Sequence, residues 1–146
     1  MMDFQPLPVF ESDFDDLVEL RIAAMRESLD AVGRFDPVRI RERLRAKFVP
    51  EETTKIICDG RLVAFYAISE TEDHLYLGHL YVLPEAQGNG VGSRIMKKVI
   101  GLSVEKRLPV RLRVLSSSPA KEFYLRYGFE VKSMDELDSY CERSSS

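Results

Sequence analysis

The densest run of glycine in the chain is Gln87-Gly88-Asn89-Gly90-Val91-Gly92, three glycines in six residues. Glycine permits backbone shapes and close approaches that a Cβ forbids. Something is therefore expected to come close to the main chain here, and a phosphate is the first choice. Where such a stretch opens a helix, the first turn offers unpaired N–H groups and a partial positive charge, and a diphosphate can rest on the backbone. A flexible turn without a ligand is the plain alternative. Two common phosphate loops are excluded. A P-loop needs Lys and then Ser or Thr after its last glycine, and Gly92 is followed by Ser93-Arg94. A dinucleotide fingerprint needs Gly or Ala three residues after Gly90, where Ser93 stands. It also needs an acidic residue about 20 positions on, where Val110-Arg111-Leu112-Arg113-Val114 supplies none. Ser116-Ser117-Ser118 lacks the Gly-x-Ser-x-Gly elbow of a hydrolase nucleophile. Cys58 and Cys141 are far apart and show no metal-ligand spacing.

The chain has 146 residues, 45% of them apolar and 31% charged. One domain over residues 1–146, soluble and with a proper core, is the expectation. A net charge of −3 gives no general attraction to nucleic acid or to an anionic membrane. No apolar run approaches the roughly 20 residues of a spanning helix. The start, Met1-Met2-Asp3-Phe4-Gln5-Pro6, lacks the basic and apolar regions of a secretory leader. Two reduced cysteines fit a cytoplasmic protein.

The elements that must carry the glycine loop follow from periodicity. Phe4 to Phe10, interrupted by Pro6 and Pro8, reads as an edge strand. Ser12-x-x-Asp15 resembles a capping box, and Phe14, Leu17, Val18, Ile22, Met25 and Leu29 follow at helical spacing up to Gly33. Asp36-Pro37 opens a second helix, with Phe35 and Ile40 placed as a hydrophobic staple, Ile40, Leu44 and Phe48 as its buried stripe, and Pro50 as its close. Lys55–Cys58 and Arg61–Ser69 are strand-like around an Asp59-Gly60 turn, and His74–Val82 is a third strand; short turns make the three antiparallel. A helix begins at Val91, a strand spans Val110–Val114, and Ser118-Pro119 opens a last helix that Gly128 stops. Phe129–Lys132 and Asp138–Arg143 are the final strands. The order is β-α-α-β-β-β-α-β-α-β-β, an α+β or mixed α/β sheet domain.

Against that order, Leu80-Tyr81-Val82-Leu83-Pro84-Glu85-Ala86-Gln87-Gly88-Asn89-Gly90-Val91-Gly92 resembles the central motif of the GNAT superfamily of N-acetyltransferases. That motif is a strand ending in a small apolar residue and proline, then Gln/Arg-x-x-Gly-x-Gly/Ala opening a helix. Gln87, Gly90 and Gly92 occupy its fixed positions. Ser118-Pro119-Ala120-Lys121-Glu122-Phe123-Tyr124-Leu125-Arg126-Tyr127-Gly128-Phe129 is similar to the family's Asn-Pro-x-x-x-Phe-Tyr-x-x-x-Gly-Phe segment, with serine in place of the common asparagine. The motifs cover about residues 75–131. The resemblance implies a GNAT-like fold, with a central mixed, mostly antiparallel sheet flanked by about four helices.

It also implies acetyl-coenzyme A as donor co-substrate, with no metal. The backbone of Gln87, Gly88, Asn89, Gly90, Val91, Gly92 and Ser93 would hold its diphosphate, and the pantetheine arm would run beside Val82 and Leu83. Ser118 and Lys121 are further candidates for the cofactor. Arg94 and Lys97 lie near enough in sequence to meet nucleotide phosphates, although a solvated helix face is the preferred reading for Lys97 and Lys98. The family places its general acid at the Tyr of the Phe-Tyr pair, here Tyr124; a neutral phenol can donate a proton to the departing thiolate, and the competing reading is a tyrosine that packs in the core with Phe123. Tyr127 reads as packing. His79 stands where family members often carry a carboxylate. A histidine, with an unperturbed pKa of about 6.5, suits proton abstraction near neutrality; the competing reading is a structural or substrate-lining histidine, with water carrying the proton. Gly78 is expected to mark a bulge that splays its strand, the N–H near Val82 to polarise the thioester carbonyl, and His74 to be exposed.

Substrate choice would fall to Met25, Arg26, Phe35, Tyr81 and Tyr140, with Arg21, Arg34 and Arg143 as further arginines able to meet a carboxylate on an amino-acid-like acceptor; a solvated helix face is the competing and, for most of them, the preferred reading. Asp135, Glu136 and Asp138 point instead to a polyamine or lysine side chain. The expected activity is N-acetylation of a primary amine on a small molecule or peptide by direct attack on the thioester. The competing class is a non-catalytic acyl-coenzyme A-binding regulatory module. No nucleic-acid or membrane partner is expected, and a homodimer is compatible with all of this.

Overall fold

Asp59 and Gly60 turn the chain with φ of 52° and 76°, the left-handed pair that a two-residue hairpin needs to match strand twist. The computed structural model describes residues 3–146. The Met1-Met2 end of the stretch read for a leader lies outside the described residues. In chain order the elements are β1 (Phe4–Pro8), α1 (Phe14–Ala31), α2 (Pro37–Lys47), β2 (Thr53–Cys58), β3 (Arg61–Glu70), β4 (Leu75–Val82), α3 (Val91–Lys106), β5 (Val110–Leu115), α4 (Pro119–Arg126), β6 (Glu130–Met134) and β7 (Asp138–Arg143). The order read from periodicity holds throughout, and the strands fall in one seven-stranded sheet, β1-β2-β3-β4-β5-β7-β6. β1 and β2, β2 and β3, β5 and β7, and β6 and β7 pair antiparallel, while β4 and β5 pair parallel. The sheet is mixed and mostly antiparallel, as expected. Among the described residues no helix is long and apolar enough to cross a membrane.

The chain divides into two compact units, with boundaries inside β3 and β4. The first comprises residues up to Ala67 and His79–Gly92. Its core gathers Val9, Phe14, Leu17, Val18, Leu20, Leu44 and Phe65, with Ile22, Phe48, Leu62, Tyr81 and Leu83 packed against it. Each fully buried leucine there contributes about 2 kcal/mol by removal from water. β1 is an edge strand, paired through Pro6 opposite Ile56, which suits two residues without N–H donors.

Two local expectations change in this unit. The start of α1 does not use a Ser12–Asp15 box. A single 3₁₀ turn, Glu11–Asp13, precedes the helix, and the Asp13 carboxylate accepts from the Phe10 N–H at 2.8 Å. Asp13 also pairs with Lys55 on β2, and that tertiary partner decides which acidic residue turns inward. α1 also keeps only its first half buried, since Met25 and Leu29 are half-exposed. By contrast α2 begins as read. Asp36 accepts from the Val38 and Arg39 N–H groups with Pro37 in the first turn, a cap typically worth about 1 kcal/mol.

The second unit comprises Ile68–Gly78 and Ser93–Ser146. Leu75, Ile95, Met96, Val99, Val110, Leu112 and Phe129 are among its buried side chains. Buried Ser103 donates to the Leu108 carbonyl and buried Ser139 pairs with Ser116, so neither hydroxyl is stranded. Ser116 is thereby part of the packing. Among the described residues the β4–β5 ladder joins Leu75 to Val110 and Tyr76 to Arg111, and it stops there. Gly78 lies just past that point, where the strand is expected to splay.

Candidate functional site

The chain leaves β4 at Val82 and passes through one 3₁₀ turn, Pro84–Ala86, into the glycine loop. Gly88 and Gly90 have φ of 86° and 85°, and no heavy atom lies within 4 Å of where a Cβ would sit on either. Gln87 to Gly90 are exposed. α3 follows at once, so its first N–H groups, which lack intrahelical acceptors, adjoin a backbone without side chains in the way. Open backbone at two glycines followed by a helix start is the combination that an anion resting on main-chain N–H groups requires. Gln87 adds a contact that the sequence did not reveal: its side-chain amide donates to the Val82 carbonyl at 3.1 Å.

The end of β4 is oriented by a second bond. The Leu83 N–H donates to the Val63 carbonyl of β3 at 2.8 Å. Donors alternate sides along a strand, so the Val82 N–H faces away from β3. Val82 thus presents an outward donor, beside a carbonyl already engaged by Gln87.

His79 is buried, 7% exposed, and its Nδ1 has no hydrogen-bond partner. Its ring stands among Phe65, at 6.0 Å, and Tyr81, at 5.9 Å between centroids. Burial, then the positive charges of Arg21 and Lys47, push its pKa down to about 4. The imidazole is therefore neutral at physiological pH but much less basic than a free histidine. Phe65 and Lys47 are neighbours that sequence spacing could not supply, because they arrive from other elements.

Tyr81 extends the same group. Its hydroxyl accepts from Arg21 Nε at 3.3 Å, and Arg21 Nη1 donates to the Ile40 carbonyl at 2.6 Å. The Arg21 guanidinium also lies 5.5 Å from the Tyr81 ring centroid. Met25 and Arg26 stand further along α1, and the Arg26 guanidinium covers the Phe35 ring at 4.4 Å, a cation–π contact. Arg34 is exposed.

In the second unit, Ser118 caps α4, its Oγ accepting from the Ala120 N–H at 3.1 Å. Serine thus fills the capping role at the position where asparagine is common. Tyr124 is buried between Phe123, at 5.5 Å, and Phe129, at 5.6 Å. Its carbonyl accepts from the Tyr127 and Phe129 N–H groups, closing the helix before Gly128. Tyr127 packs on Phe123 at 5.1 Å, in keeping with a packing role. Lys121 is half-exposed and Lys97 and Lys98 are exposed. The Tyr140 hydroxyl donates to Asp135 at 2.6 Å, and that carboxylate raises the phenol pKa. Arg143 Nε donates to the Tyr127 carbonyl at 2.7 Å, a structural tie. His74 is not simply exposed: its Nδ1 lies 2.7 Å from Asp73 and 2.9 Å from Thr71 in the turn before β4. Among the described residues no group of three or more His, Cys, Asp or Glu could hold a metal.

The sequence profile of the family described as acetyltransferase (GNAT) domain matches residues 24–140. No curated protein matches the chain significantly. Among solved structures, the chain is similar to a PaiA N-acetyltransferase from Thermoplasma acidophilum in complex with coenzyme A, with TM-score 0.79, 19% identity, and 98% and 99% of the two chains covered. It is similar to Ard1 from Thermoplasma volcanium, with TM-score 0.72, 20% identity and 98% of each chain covered. It is also similar to the ribosomal-protein-S18-alanine N-acetyltransferase from Escherichia coli, with TM-score 0.75, 14% identity, and 99% and 95% covered. These similarities show the fold, and the profile match spans most of the chain. The chain belongs to the GNAT acetyltransferase family.

Proposed function

We propose that this protein is an acetyl-coenzyme A-dependent N-acetyltransferase acting on a primary amine of a small molecule or peptide. The observation that carries the reading is the open cradle of Gly88 and Gly90 at the start of α3. It suits the diphosphate of coenzyme A, and the structurally similar PaiA enzyme was crystallised with coenzyme A. Backbone from Gln87 to Ser93 would hold the diphosphate, with Ser118 and Lys121 as further contacts to the cofactor. The pantetheine would lie along Val82 and Leu83.

In acetyl transfer the neutral amine forms the N–C bond, the C–S bond breaks, and the thiolate takes a proton. The outward N–H of Val82 suits the role of polarising the thioester carbonyl. Tyr124 suits that of the acid, since a phenol is protonated at neutral pH. The base is assigned differently. A proton acceptor of pKa about 4 is poorly matched to an alkylammonium of pKa about 10, so solvent carries the amine's proton and His79 lines the acceptor side. A cytoplasmic setting and a homodimer accord with this reading. Incubating the protein with acetyl-coenzyme A and a panel of amines, while following free thiol, tests it. Amine-dependent thiol release and an acetylated amine by mass spectrometry are expected. Tight binding of acetyl-coenzyme A with no turnover of any amine would favour the regulatory-module reading.

A further inference from the structure

Arg21 is 8% exposed, and both of its hydrogen-bond acceptors, the Ile40 carbonyl and the Tyr81 hydroxyl, are neutral. Among the described residues no carboxylate pairs with it. Four other cations of the same unit carry a carboxylate partner. Arg41 pairs with Asp15, Arg45 with Glu11, Lys55 with Asp13 and Arg61 with Glu85, and each of these side chains is more exposed than Arg21. A buried charge without a counter-ion is costly. Arg21 spends Nε and Nη1 on neutral partners, and among the described residues Nη2 carries no bond. The rings gathered around Tyr81 carry no negative charge: Tyr81 is a phenol, Phe65 packs on it at 5.5 Å, and His79 has an unpartnered Nδ1. The cluster is thus positive, partly aromatic, and short of one anion.

We infer that Arg21 receives a carboxylate of the acceptor, so that the acceptor is an amine of amino-acid type. The fixed planar fork of a guanidinium matches a carboxylate in geometry as well as charge. The Tyr81 ring, held by Arg21 Nε, lines the apolar side of the same place. The inference rests on the N-acetyltransferase reading and narrows its substrate class.

Matched pairs of acceptors test it: amino acids and the corresponding carboxamides, which keep the amine and lose the anionic oxygen. Wild-type protein should favour the acids by about 10- to 100-fold in kcat/KM, the scale of a hydrogen bond to a charged group. Arg21→Met should bring that ratio close to one, and Arg21→Lys should restore part of it. The ratio does not depend on how much of a variant is folded, so a destabilised variant still gives an answer. Equal rates for acids and amides in the wild type, or a preference that survives Arg21→Met, overturns the inference while leaving the acetyltransferase reading intact. Absence of turnover with both series while other amines are acetylated overturns the inference alone; absence of turnover with every amine, at undiminished acetyl-coenzyme A binding, overturns that reading and the inference with it.

Discussion

His79 and Tyr81 stand two residues apart on one face of β4 with ring centroids 5.9 Å apart, and the Arg21 that holds the Tyr81 hydroxyl also helps keep His79 neutral. A group with pKa about 4 is already deprotonated across the neutral range. It gives no ascending limb there in a pH profile of kcat/KM. Any such limb belongs to the acceptor amine and should move when an acceptor of lower pKa is used. His79→Gln should leave it in place. A limb near pH 6 to 7 that His79→Gln abolishes would return the imidazole to the role of base.

The same burial has a signature in stability. His79 is held neutral in the folded chain at about pKa 4, against about 6.5 when unfolded. Between those values the unfolded chain binds more protons, so stability is complete above pH 6.5 and falls as the pH drops through the window. The loss reaches about 3 kcal/mol once pH is below both values. Urea unfolding of the wild type and of His79→Phe at a series of pH values should show a shallower acid limb in the variant. Parallel limbs would mean that other groups set the acid sensitivity.

Replacing Gly90 by Val should abolish most acetyl-coenzyme A binding. The residue has φ of 85° and open space above it. A β-branched side chain fills that space and strains the backbone by about 1–3 kcal/mol. Calorimetry on folded Gly90→Val should show at least about a ten-fold loss of affinity, the equivalent of 1.4 kcal/mol. Unchanged affinity would remove the loop from the donor site.

Tyr124→Phe keeps the ring that packs against Phe123 and Phe129 and removes the hydroxyl. If that hydroxyl protonates the thiolate, turnover falls by about 10²- to 10⁴-fold with acetyl-coenzyme A affinity nearly unchanged. Normal turnover, with chemistry shown to limit the rate, would leave Tyr124 as a packing residue.

Element order was legible because each element carries a local signal. Asp36-Pro37 caps α2, Asp59-Gly60 turns the hairpin, and Gly128 with φ of 92° ends the α4 segment. The glycine loop was legible for the same reason. What stayed hidden depends on partners distant in sequence. Asp13 rather than Ser12 organises the start of α1 because Lys55 arrives from β2. The low basicity of His79 depends on Phe65, Arg21 and Lys47 closing around it. Arg21 sits on the buried side of α1, where periodicity gives only a charged residue among apolar ones. Its bond to the Ile40 carbonyl needs α2 in place before it can be seen.

β7 lies between β5 and β6, pairing Leu112 with Cys141 on one side and Val131 with Cys141 on the other. The chain that reaches this slot is made after both of its neighbours. A nascent polypeptide halted before Asp138 can complete α4 but cannot join β5 to β6, because the intervening strand does not yet exist. During translation this part of the sheet therefore closes like a zip from a late insertion. Until residues 138–143 clear the ribosome, β5 offers an unpaired edge that a chaperone, or a second nascent chain, can find first.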